Sequence, residues 1–211
     1  YESLSFTDDL ESHYGFIKSR LAQGRRADLL RDYEDLSRRK IVTDNIKFVE
    51  AVIDIFDDAS DGQDRLDRAI SKLEAMTDER DSGLRYLVLG YAYMEKLFRT
   101  AKGLDVNSEY LQNAHRSLML AYDLAWDNPR IRASALMNLG ILHQRVQNHG
   151  QAVRFFSLRK AFGFVSEEEK ANFEYLYARS LAHVHQPDVA ATELTLVAPR
   201  LRSVPHEERR A

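Results

Sequence analysis

Leu136-Met137-Asn138-Leu139-Gly140, with Ala152 twelve residues after the glycine and Phe156 just beyond, is the stretch that decides the fold. A Leu-Gly step on one helix, then small and aromatic residues at fixed offsets on the next, is what two antiparallel helices need to cross closely. Gly140 has no Cβ, so a second helix can approach the backbone there. Ala152 supplies a small facing surface, and Leu136, Leu139 and Phe156 fill the space on either side. Helix pairs of this kind make scaffolds for binding more readily than they make enzymes.

Outward from this pair the helical period dominates, and no segment alternates as a strand would. Towards the C-terminus, Ser166 predicts a cap with Glu167, Glu168 and Glu169 in the first turn that follows it. Ala178 and Ala190 then repeat the twelve-residue offset, with Leu194 and Val197 following. Towards the N-terminus, Trp126-Asp127-Asn128-Pro129 marks the turn into the helices at about 130–147 and 149–163, since proline suits a helix entry. Tyr86, Leu89, Gly90 and Tyr93 repeat the first-helix pattern, and Ala114, Leu118 and Ala121 the second. There the small residues lie 24 apart rather than 12. The extra stretch, 96–110, reads as an extended helix plus a lengthened turn, and insertions of this kind are often functional.

Earlier still, Ile46, Val49, Ile53 and Phe56 form one stripe, and Leu66, Ala69, Ile70, Leu73 and Met76 form another. They predict a hairpin at about 43–58 and 62–77. Thr7-Asp8-Asp9 caps a first helix carrying Leu10, Tyr14, Ile17 and Leu21, which Gly24 stops. Ala27, Leu30, Tyr33 and Leu36 face inward on the next, and Gly15 with Ala27 again gives the offset of twelve. The prediction is an all-α chain of about five antiparallel hairpins, one domain over 1–198, with a flexible arginine- and proline-bearing tail at 199–211.

Composition agrees. Of 211 residues, 44% are hydrophobic, with only four prolines and nine glycines to interrupt helices. The net charge of −3, with acids and bases interleaved, is not the basic footprint of a nucleic-acid binder. No run approaches the roughly 18 apolar residues of a membrane span. The absence of cysteine excludes disulfides, thiolate catalysis and Cys-based zinc sites. Because the chain opens at Tyr1, removal of an upstream leader, tag or domain is expected, leaving a soluble domain of the cytoplasm or periplasm.

The chain resembles the tetratricopeptide-repeat superfamily, most clearly over 83–198, with divergent hairpins at 1–80. The best unit, Asn128 to Phe164, reads NPRIRASALMNLGILHQRVQNHGQAVRFFSLRKAFGF. It departs from the pattern where His143 replaces an aromatic residue and Arg159 an alanine. Gly90, Gly140 and Ala178 fall 50 and 38 residues apart, longer than the repeat of about 34 residues. The resemblance implies a right-handed superhelix whose first helices line a concave groove, and a function in binding. It places Leu87, Tyr91 and Met94 on that groove, then Met137, Ile141, Gln144 and Arg145, then Tyr175, Arg179 and His183. The subclass that grips chaperone C-termini uses lysines and asparagines where Met137 and Ile141 stand, so that role is disfavoured. A largely apolar groove with tyrosine and arginine anchors suits an amphipathic helix or extended peptide.

Other clusters have ordinary readings. His183 and His185 with His143 and His149 invite a zinc site, but no carboxylate stands at ligand spacing. Asp57-Asp58-Ala59-Ser60-Asp61-Gly62 lacks the oxygen ligand and the glutamate that a calcium loop needs, at Ala59 and Arg68. Arg25-Arg26 and Arg38-Arg39-Lys40 lie among carboxylates that cancel their field. No metal, cofactor or catalytic motif is read. The expected function is a non-enzymatic adaptor for a protein segment. The alternatives are a ligand-responsive sensor and a self-associating subunit of an envelope or secretion assembly.

Overall fold

The computed structural model describes residues 44–56, 62–77, 82–100 and 108–184 without a break, with parts of 14–31 and 188–195. Among these, all regular structure is helical. The helices are α1 (Asp44–Phe56), α2 (Gly62–Glu74), α3 (Ser82–Thr100), α4 (Glu109–Leu124), α5 (Pro129–Arg145), α6 (His149–Arg159) and α7 (Glu167–His183). They fall into two compact units, α1–α4 and α5–α7. The tail at 199–211, the loop at 57–61, the basic run at 38–40, His185 and residues 101–107 of the insertion lie outside the described residues.

In the first unit α1 packs on α2, α2 on α3, and α3 on α4, while α1 also touches α3. The stripe predicted for α2 is buried throughout, as are Val49 and Ile53 of α1. Lys72 of α2 pairs with Glu50 and Asp54 of α1, each at 3.0 Å. This partly exposed pairing adds little energy, so the buried stripes hold the hairpin.

Two glycines set the register of α3 on α4. A Cβ on Gly83 would lie 2.8 Å from that of Ala125, and one on Gly90 would lie 2.6 Å from Cγ of Leu118. Seven residues forward on α3 correspond to seven back on α4, which is an antiparallel crossing of glycine-close backbones. The upstream offset is different. Gly15 and Ala27 are both exposed, and a Cβ on Gly15 would meet no atom of the described residues within 4 Å, whereas Ile17 and Leu29 are buried. Ile17 is buried as its stripe predicted, whereas the expected inward position of Ala27 is corrected, Leu29 being the buried neighbour; the side chains of Leu30, Tyr33 and Leu36 lie outside the described residues.

In the second unit α5 packs on α6, α6 on α7, and α5 also touches α7. Asn128 caps α5 by accepting from the backbone N–H groups of Arg130 and Ile131 at 3.1 and 3.2 Å, with Pro129 in the first turn. The turn into α6 is three residues long. Gln147 takes φ 61°, and the Gln147 and Asn148 N–H groups donate back to the carbonyls of Gln144 and His143, a Schellman ending with glutamine in the usual glycine place. Asn148 then accepts from Gln151 N–H to start α6. Ser166 starts α7 by accepting from Glu169 N–H at 3.1 Å.

The atoms nearest to a Cβ on Gly140 belong to the Phe156 ring, and Ala152 is fully buried. In the first unit the nearest atoms to a Cβ on Gly90 belong to Leu118, and Ala114 is fully buried. In both hairpins the glycine receives the residue four after the small one, one turn further along the second helix. Phe156 is fully buried and presents edges to Phe173 and Tyr177, at 5.9 and 6.4 Å between centroids. Burial of such a ring contributes roughly 1.5–3 kcal/mol.

Candidate functional site

The ten residues placed on a groove by sequence divide between the two units. Leu87, Tyr91 and Met94 belong to α3; the other seven belong to α5 and α7.

In the first unit Leu87 and Met94 are buried core residues and present no surface to a partner. Tyr91 is half-buried and stacks on Phe56 of α1, with ring centroids 5.3 Å apart and planes 19° apart. Burial pushes its hydroxyl pKa up, and the neighbouring Glu95 carboxylate adds to the rise by charge and hydrogen bond. Tyr91 thus joins α3 to α1, and Leu87 and Met94 expose no face.

In the second unit Gln144 is also buried, and its amide has a definite task. Nε2 donates to the Leu176 carbonyl at 2.8 Å and to Ser180 Oγ at 2.7 Å. These bonds tie α5 to α7. Each contributes on the order of 1 kcal/mol net, and an orphaned donor here would cost more. Met137 and Ile141 share that stripe of α5 and pack partly buried against the cluster of Phe156, Phe173, Tyr177 and Leu181. Beyond the seam the surface opens. Arg145, Arg179 and His183 are exposed, and Tyr175 is 41% exposed. Tyr175, Arg179 and His183 follow one another at helical spacing along α7.

His183 does not stand alone. Its ring stacks on His149, the first residue of α6, at 4.0 Å between centroids and 8° between planes. His149 Nε2 meets Gln147 Oε1 at 3.2 Å, while its Nδ1 is buried without a hydrogen-bond partner. A second proton would have to sit on that Nδ1. Burial accordingly lowers the His149 pKa, and the neighbouring His183 and Arg179 lower it further. Sequence placed these histidines in reach of one another without predicting a stack. Among the described residues no group of three or more His, Asp or Glu is disposed to hold a metal ion.

The two departures from the repeat pattern are both accommodated. His143 stacks on Phe155, with centroids 5.4 Å apart and planes 17° apart, and so fills an aromatic position. Arg159 is 2% exposed. Its guanidinium donates to the Phe162 and Gly163 carbonyls at 3.0 and 3.1 Å and to Glu169 Oε1 at 2.8 Å, and lies over the Phe164 ring at 4.4 Å. Glu169 in turn accepts from Val165 N–H at 2.7 Å. This network fixes the turn that aims α7 at α5. The available signal was an arginine on an apolar stripe with a glutamate ten residues on, since a buried charge requires a partner.

Among the described residues the most exposed aromatic side chain is Trp126, 77% accessible in the turn before α5. Among the described residues no helix is long and apolar enough to cross a membrane. Comparison of the chain with family models, with curated proteins and with solved structures gives no match.

Proposed function

We propose that this chain is a non-enzymatic interaction module of the tetratricopeptide kind, and that it binds a protein segment along the exposed edge of α7 beside α5. Under this reading α5 and α6 form one repeat, α7 opens the next, and the hairpins stack in the right-handed sense that the resemblance implies. The observation that carries it is the Gln144 tie, which holds α5 against α7 and leaves Tyr175, Arg179 and Arg145 directed away from the core. An exposed tyrosine with exposed arginines on the same pair of helices, already locked in place, suits a segment that pairs an apolar residue with acidic ones. Preorganisation lowers the entropy lost by the receptor on binding.

Binding of peptides to the wild-type chain and to a Tyr175→Ser/Arg179→Glu variant tests the reading. Both residues are exposed, so the variant keeps its core. A second copy of the chain is the competing occupant of this face. Sedimentation velocity over a range of concentrations separates the two cases, because a dimer that the double variant abolishes would replace the peptide with the chain itself.

A further inference from the structure

Helix α6 begins on a histidine and α7 ends on one, and the two rings lie face to face. His149 and His183 stack with 4.0 Å between centroids and 8° between planes. Such a stack suits neutral rings. It does not suit two imidazolium cations, whose repulsion at about 4 Å outweighs so weak an attraction wherever water screens it incompletely.

His149 also has no seat for a further proton. Its Nε2 lies 3.2 Å from Gln147 Oε1. An amide oxygen only accepts, so Nε2 carries the proton of the neutral ring. The next proton belongs on Nδ1, which is buried and meets no acceptor. An Nδ1–H can find one in water only if the ring leaves its place. No nearby charge offers a remedy. The groups of α7 that act on His149 are His183 and Arg179, which are neutral or positive, and Gln147 of the α5–α6 turn is uncharged. Burial and these two neighbours lower the His149 pKa.

We infer that the His149–His183 contact is a proton-operated latch between the start of α6 and the end of α7. It is closed while His149 is neutral and opens when a proton reaches Nδ1. Opening unstacks His183 and frees the last turn of α7 from the first residue of α6. The Gln144 bonds to Leu176 and Ser180 lie further back along α7 and keep their hold on α5, so the movement is confined to the helix end. His183 follows Tyr175 and Arg179 along the exposed line of α7, and the latch therefore sets how that line ends. This last consequence rests on the binding face proposed above; the latch does not, and its test uses no ligand.

Nuclear magnetic resonance of the full chain, titrated from about pH 8 to about pH 4.5 with circular dichroism on the same samples, tests it. At the alkaline end, cross-peaks between the two imidazole rings are expected. They should vanish as His149 titrates, at a midpoint below the ordinary histidine value of about 6.5, while helix content is kept. Amide signals of the last turn of α7 should shift with that same midpoint. In His183→Gln, His149 should titrate at higher pH, because one opposing group is gone, and the α7 amides should no longer follow it. Four results would each overturn the latch: no cross-peaks at the alkaline end, cross-peaks that persist on protonated His149, an unchanged His149 midpoint in folded His183→Gln, or helix loss that accompanies the titration.

Discussion

The ring of Phe156 occupies the space that a side chain at position 140 would need. A Cβ on Gly140 would fall 2.6 Å from Cδ1 and 2.7 Å from Cζ of that ring. The ring cannot swing aside, because Phe173 and Tyr177 pack against it in a fully buried site. Two effects compete in Gly140→Ala. Helix propensity favours alanine by up to about 1 kcal/mol, whereas overpacking a core costs about 1–3 kcal/mol. The expected outcome is a net loss of about 1–2 kcal/mol in urea denaturation, larger for Gly140→Leu, with part recovered by adding Phe156→Leu. Gly150→Ala, where nothing lies within 4 Å, should be neutral or slightly stabilising. A neutral Gly140→Ala would mean the crossing is looser than described.

Arg159 gives a second prediction. Replacing it with methionine keeps much of the volume but removes three hydrogen bonds and orphans the carbonyls of Phe162 and Gly163. Glu169 is partly exposed, so the charge left behind is hydrated and the loss falls below the roughly 3–5 kcal/mol of a fully buried pair. About 2 kcal/mol is expected for Arg159→Met and less for Glu169→Gln, measured by denaturant midpoint. An unchanged midpoint in Arg159→Met would show that desolvation of the guanidinium cancels its bonds.

These two sites show what was legible in the sequence. Gly140, Gly90, Ala114 and Ala152 disclosed helix crossings because only small residues permit backbones to approach, and that requirement is local. The cap at Ser166 and the turn at Asn128-Pro129 were legible because their signals are likewise local. Which large side chain lies nearest each glycine was not, since that depends on the register between the two helices and not on the spacing within either. The outward placement of Leu87, Met94 and Gln144 failed because a three-helix seam buries the side chains where first helices meet. Periodicity alone does not distinguish a seam from an open groove. The Gln144 tie and the Arg159 network span different helices, so no local pattern announces them. In the first hairpin, Gly15 and Ala27 kept the spacing without the burial.

The histidine stack predicts a pH dependence. The His149 pKa is lowered in the folded chain, by burial first and then by His183 and Arg179 of α7. A positive charge on the first residue of α6 also opposes the helix dipole. Its folded pKa therefore lies below the unfolded value of about 6.5, so the unfolded chain binds its proton first as pH falls. Stability should be level above about pH 7 and decline as pH drops through 6.5, ceasing to decline once the folded pKa is passed. His115, lowered by burial, acts in the same direction. Thermal midpoints between pH 7.5 and 5 check this, and His149→Gln should flatten part of the slope. Equal slopes in wild type and His149→Gln would remove the stack from the explanation.

The α7 face is most directly tested by selecting a random displayed-peptide library on the immobilised chain and titrating enriched peptides into wild type and Tyr175→Ser/Arg179→Glu. The account predicts enriched sequences that combine an apolar residue with acidic ones. They should bind wild type saturably and lose about tenfold or more in affinity on the double variant, whose helicity by circular dichroism stays unchanged. No enrichment over the bare support, or equal binding by the folded variant, would contradict it.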